Sequence, residues 1–350
     1  MVVIWIVIER LNSGDSIRLR LICYNLAYIN FTQRSMSPLI SICIPAYKNV
    51  SFLKRLLESI AIQTFKEFEV LISDDSPDNG VQTLVTEYNR RIAGLQYWKN
   101  VPARGMPENW NTAIGAAKGT WIKIMHDDDW FLTADALEQF AKRTATEADF
   151  IFSNYENNYM DTAGRIIRKK PMVFPRYMLA AIAKEPLLLL ADNKIGPPSV
   201  SMVRRVSGVS YDKRLRWRVD IDYYKTVLTR KPKLELLEEL LIGVGMNENQ
   251  VTNQTKNIPE VELPEAHILI QKYGTASLRN WIVYDSWWRM FRNMQIDSYR
   301  KLQQYVPQPW PPVIVRMLNF MEKTPKLFLK SGVTSKLCML LSFAGGRASI

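Results

Sequence analysis

Four residues, His126-Asp127-Asp128-Asp129, follow directly on the apolar run Trp121-Ile122-Lys123-Ile124-Met125, so an acidic cluster emerges at the end of a buried strand. In an open parallel sheet, ligands bind outside the carboxyl ends of the strands. Carboxylates crowded there call for a positive partner, usually a hard divalent cation. A solvated acidic loop capping the helix that follows is the plainer reading, because Asp is common in loops and at N-caps. A second set shifts the balance: Phe68-Glu69-Val70-Leu71-Ile72 reads as a strand and ends in Ser73-Asp74-Asp75-Ser76-Pro77-Asp78. A third run, Leu39 to Ile44, breaks at Pro45-Ala46-Tyr47 and leads into a segment with Leu53, Leu56, Leu57 and Ile60 at helical spacing. Two acidic strand ends on one parallel strand-helix-strand unit can serve one edge.

The elements that must position these residues alternate along the chain. Strands are predicted over 39–45, 68–73, 95–99, 121–125 and 149–153, with helices over 51–63, 81–92, 108–117 and 133–145 between them. Alternation of this kind gives an α/β fold with a mostly parallel sheet covered by helices on both faces. After Asp161 the pattern is less regular and is punctuated by Pro175, Pro186 and Gly196-Pro197-Pro198. Beyond 257 it turns helical, and Trp281, Tyr284, Trp287, Trp288 and Phe291 share one helix face. Such a stripe reads as core packing or, beside Arg289 and Arg292, as a membrane-interface helix.

The runs from Ile40 to Asp78 and from Asn109 to Trp130, with G-P-P-S-V-S-M-V-R-R from Gly196 and L-R-W-R-V-D-I-D-Y-Y from Leu215, resemble family 2 glycosyltransferases. Four loose motifs in the right order carry that resemblance over roughly one domain. It implies a Rossmann-like GT-A fold over 39–257, with a nucleotide-sugar binding half (39–154) and an acceptor half (155–257). Residues 1–38 are then an N-terminal extension and 258–350 a helical, basic C-terminal one. Met36 stands where members of the family often begin. Residues 1–35 therefore read either as foreign to the native protein or as a helix or hairpin whose Leu19, Leu21, Ile22, Leu26 and Phe31 pack on something.

By the same resemblance, Pro45, Ala46 and Tyr47 lie against the base, and Asp75 accepts from its ring N–H as an ionised carboxylate can. Asp127 turns towards the ribose. Asp128, supported by Asp129, holds Mn2+ or Mg2+, since carboxylate and phosphate oxygens prefer hard cations. His126 stands where the family has the leading Asp of its D-x-D. Arg104, Asn109 and Asn111 either face the diphosphate or do ordinary loop and capping work. Asp220 aligns with the general base, with Asp222 as the alternative. The expected reaction is inverting transfer of one sugar from a nucleoside-diphosphate sugar, UDP-sugar favoured, to a glycan or lipid-linked hydroxyl in bacterial surface polysaccharide synthesis. The processive synthases' Q-x-x-R-W is absent. A sugar-phosphate nucleotidyltransferase is the first rival, although Pro45-Ala46-Tyr47-Lys48-Asn49 lacks the glycines such enzymes use, and a non-catalytic binding protein is the second.

Composition bounds the rest. Three widely spaced cysteines and two histidines argue against a zinc site, a disulfide framework or a His-based triad. The net charge is +12, and residues 301–350 carry seven Lys or Arg against Glu322 alone. With no nucleic-acid motif beside it, that excess points to anionic lipid before nucleic acid. A cytoplasmic protein is expected, peripheral on the inner face of the cytoplasmic membrane through its C-terminal extension.

Overall fold

The computed structural model describes residues 4–10, 17–23, 37–206, 208–230, 233–247 and 257–346. They fall into two compact units, Met1–Ser37 and Pro38–Ile350. In the first, β1 (Ile4–Arg10) and β2 (Ile17–Cys23) form an antiparallel pair. Leu26, Phe31 and Met36 lie outside the described residues.

The second unit opens with β3 (Ile40–Ala46), α1 (Val50–Ala61), β4 (Phe68–Asp74), α2 (Gly80–Tyr88), β5 (Leu95–Lys99), α3 (Glu108–Gly115) and β6 (Trp121–Ile124). Every residue of β3 is buried, as a strand covered by helices on both faces requires. Leu53, Leu56, Leu57 and Ile60 of α1 are fully buried against it. The neighbours β5, β4, β3 and β6 are all parallel, as expected.

Next come β7 (Trp130–Phe131), α4 (Ala136–Arg143), β8 (Ala148–Met160), β9 (Ile166–Met172), α5 (Leu179–Lys184), β10 (Ser201–Arg204), α6 (Val219–Leu228) and β11 (Lys233–Met246). Beyond the parallel half, antiparallel neighbours join the sheet. β10 runs antiparallel between β6 and β8, β7 antiparallel to β11, and β8 with β9 forms a hairpin. Antiparallel neighbours need only a tight turn, and the Asp161–Arg165 turn supplies one, which also extends β8 past the predicted 149–153. The sheet is thus mixed. Its directions still send the carboxyl ends of β3, β4, β6 and β11 and the amino end of β10 to one edge.

The chain continues through α7 (Pro259–Tyr273), α8 (Trp281–Asn293), α9 (Tyr299–Tyr305), α10 (Pro312–Lys323), α11 (Lys326–Lys330) and α12 (Gly332–Gly346). These helices gather a second apolar core around Trp288, Phe291, Ile314, Leu318 and Met339. Tyr284, Trp287, Trp288 and Phe291 are buried in it, so the aromatic stripe of α8 is core and the membrane reading of that stripe is withdrawn. Among the described residues, no helix is long and apolar enough to cross a membrane.

Candidate active site

At the common edge the acidic cluster is held from three sides. Asp127 accepts from the backbone N–H of Tyr47, just past β3, at 3.0 Å. Asp129, 2% exposed, accepts from Gly245 N–H in β11 at 3.1 Å and from the Ser199 hydroxyl ahead of β10. Asn247 donates to Asp128 at 3.3 Å. A Cβ at Gly245 would sit 2.3 Å from the Asp128 carbonyl oxygen, so only glycine lets β11 come this close.

His126, Asp128 and Asp129 each bring one ligand atom to within 4.8 Å of the others. Burial first, then the charge of Asp128, pushes Asp127 up to about 8 and Asp129 well above the usual carboxylate range. Burial, helped by Lys123, pulls His126 down to about 4, so its imidazole is neutral at pH 7. Among the described residues, its buried Nε2 has no hydrogen-bond partner. Crowded carboxylates beside a neutral imidazole form a set that a divalent cation fits, and Asp128, Asp129 and His126 are the residues that would hold it.

Two residues of this region were not anticipated. Lys123, fully buried in β6, donates to the Ser199 carbonyl and faces the Phe140 ring at 4.8 Å. Burial pulls it down to about 7 while Asp129 opposes that shift. Ser199 receives that bond, accepts from His126 N–H at 3.0 Å and donates to Asp129. Its G-P-P-S setting was noticed, but only contact shows its partners.

On the nucleotide side, Pro45 and Ala46 are buried and Tyr47 is 52% exposed, its ring open to stacking. Asp75 accepts from Asn100 (2.8 Å), Arg104 N–H (3.1 Å) and Gly105 N–H (2.7 Å), so it shapes the 100–105 loop and keeps about one lone-pair position of four. Arg104 is exposed, its Nε on Asn100. Asn109 and Asn111 make framework contacts. Asn109 donates to the Ala46 carbonyl and accepts from Asn100. Asn111 clamps the Tyr211 backbone in both directions, at 2.9 and 2.8 Å.

On the acceptor side, Asp220 lies in the first turn of α6 with Oδ1 buried and unpartnered among the described residues, and burial lifts its pKa to about 7. Its charge helps push up the phenols of Tyr211 and Tyr224. Tyr211 meets Trp110 edge-on at 5.0 Å, and Trp110 meets His126 at 4.6 Å, so an aromatic row runs from the acidic cluster to a phenol that feels the Asp220 charge. Asp222 is different. It is fully buried and accepts from Lys272 at 2.7 and 2.8 Å and from Tyr273 at 2.7 Å, so the alternative base is withdrawn as a tie between α6 and α7. Two turns earlier on α7, Glu265, 3% exposed, accepts from the backbone N–H groups of Arg216, Trp217 and Arg218 at the entrance to α6.

The Glycosyl transferase family 2 profile matches residues 41–206, the segment that supplies every strand end described above except that of β11. Over those residues the chain carries a domain of that family. An uncharacterized glycosyltransferase of Methanocaldococcus jannaschii is 26% identical over 210 residues, 59% of this chain and 70% of its own. An Escherichia coli UDP-Glc:alpha-D-GlcNAc-diphosphoundecaprenol beta-1,3-glucosyltransferase is 30% identical over 118 residues, 33% of this chain and 46% of its own. Among solved structures, a Pyrobaculum calidifontis mannosyltransferase in complex with GDP-Man and Mn2+ overlays with a TM-score of 0.52 at 11% identity, covering 89% of this chain and 87% of its own. The last likeness supports the GT-A fold. The family 2 match ends before Asp220 and the helices from α6 onward.

Proposed function

We propose that this transferase moves a single sugar, with inversion, from a nucleoside-diphosphate sugar to a hydroxyl of a glycan or lipid-linked acceptor, in the synthesis of a bacterial surface polysaccharide. The observation that carries the reading is Asp220: a carboxylate raised to about 7 by burial, with one oxygen unpartnered among the described residues, whose charge acts on Tyr211 at the end of the aromatic row from the acidic cluster. A general base works best with a pKa near the operating pH. Asp220 takes the acceptor proton as the hydroxyl attacks the anomeric carbon, and the leaving diphosphate departs on the opposite face. Tyr47 stacks on the base, the last lone pair of Asp75 receives its ring N–H, Asp127 reaches the ribose and Arg104 the diphosphate. A divalent cation bound by the cluster supplies charge stabilisation for the leaving phosphate.

UDP-sugar is the favoured donor and a lipid-linked hydroxyl a candidate acceptor, by analogy with the E. coli relative's name. We place peripheral membrane contact on α12, where Val333, Leu337, Leu340 and Leu341 form an exposed face near Lys326 and Lys330. The test is a screen of UDP-, GDP- and dTDP-sugars with Mn2+ and sugar-diphosphate lipid acceptors. Nucleoside diphosphate release with an inverted anomeric product is expected. Pyrophosphate release would instead indicate a nucleotidyltransferase, and no turnover with any pair would favour a binding protein.

A further inference from the structure

We propose that His126 is itself a metal ligand, making the centre a mixed imidazole and carboxylate site that takes Mn2+ in preference to Mg2+. This rests on the transferase reading, and it concerns the one position where the chain departs from the D-x-D pattern it otherwise resembles.

Three observations carry it. First, the ring is aimed at the cluster: Nδ1 lies 3.9 Å from Asp129 Oδ2, too far for a hydrogen bond and close enough for both atoms to reach one ion. Second, the ring is held. The His126 backbone N–H donates to Ser199 at 3.0 Å and the imidazole packs on Trp110 at 4.6 Å. A ligand fixed before the ion arrives loses little freedom on binding it. Third, no described residue gives the other ring nitrogen a hydrogen bond, so the side chain is not explained as part of a hydrogen-bond network.

The donor set then decides the ion. Mg2+ demands oxygen ligands in near-ideal octahedral geometry, whereas imidazole suits first-row transition ions. An Asp at this position would add a further carboxylate and favour a hard ion. Histidine exchanges that oxygen for nitrogen and removes one negative charge. The charge loss weakens every divalent ion, but the nitrogen offsets it only for Mn2+ and its neighbours.

The experiment is pulsed electron paramagnetic resonance of Mn2+ added to the full chain, alone and with UDP, GDP and dTDP in turn, beside calorimetric titration with Mn2+ and Mg2+. Bound Mn2+ is expected to show modulation from a directly coordinated nitrogen-14, and Mn2+ to bind about tenfold or more tighter than Mg2+. In His126→Asp the nitrogen signal is expected to vanish and the Mn2+ preference to narrow. His126→Asn serves as a second variant if the first misfolds. Bound Mn2+ without a nitrogen signal in the parent overturns the proposal, as does an unchanged signal in either variant or no bound Mn2+ with any nucleotide. None of these readouts requires turnover. Nitrogen-ligated Mn2+ in a chain that transfers no sugar would sink the transferase reading and leave the ligand assignment standing.

Discussion

Glu265→Ala removes a carboxylate that receives three consecutive backbone N–H groups, those of Arg216 at 2.7 Å, Trp217 at 3.0 Å and Arg218 at 2.8 Å. Hydrogen bonds to a charged acceptor are worth about 1.5–3 kcal/mol each, but the three do not add. Arg216 is exposed and Trp217 half-buried, so their freed N–H groups reach water, whereas Arg218, 9% exposed, is left with a dry one. A loss of about 3 kcal/mol follows, which at this chain length lowers the melting temperature by roughly 4 °C. The activity effect is separable. Arg218 is the N-cap of α6 and Asp220 lies two residues on, so a loosened entrance displaces the base, and a misplacement of about 1 Å can reduce the rate on the order of a hundredfold. The assays are thermal melting and nucleoside diphosphate release, with Glu265→Gln expected between parent and Ala because it keeps one acceptor oxygen. A Glu265→Ala protein that melts within about 1 °C of the parent and turns over normally would refute the idea that α7 positions the base.

Three further outcomes are expected. Asp220 has a folded pKa of about 7, raised by burial from 3.8, so it stabilises the protein below the lower value and loses that contribution as pH rises through about 7. Asp220→Asn should therefore be more stable than the parent at pH 8, by on the order of 2–4 kcal/mol, yet inactive, while parent activity climbs through pH 7; a less stable variant in urea unfolding counts against the desolvated carboxylate. Gly245→Ala forces a methyl onto the Asp128 carbonyl, so β11 must retreat, and Mn2+-dependent nucleotide binding by calorimetry should fall at least about tenfold. If α12 meets anionic vesicles, Leu337→Glu with Leu341→Glu should abolish flotation at low salt while Trp281→Ala leaves most of it; the reverse result would return the membrane contact to α8.

What could be read from the chain follows from how each signal is written. Apolar runs that stop at Asp, as Ile72 before Asp74-Asp75 and Ile124 before His126 to Asp129, announce both a buried strand and the chemistry at its end. The parallel half of the fold and the acidic cluster were therefore legible. Lys123, Ser199 and Glu265 were not, because each works through a partner 47 or more residues away that only the fold brings into contact. A lysine in mid-strand looks the same in sequence whether it snorkels to solvent or, as here, is walled in by Phe140 and Asp129. The antiparallel insertion of β10 was hidden too, since a four-residue strand carries no mark of its direction. The V-D-I-D string shows the limit most clearly. Successive helical residues turn by about 100°, so Asp220 and Asp222 point roughly 200° apart, and their spacing says only that they face different surroundings. Which of them is the base depends on which side α7 covers. Lys272 and Tyr273 cover Asp222, and that leaves Asp220 with one desolvated oxygen that no described residue engages.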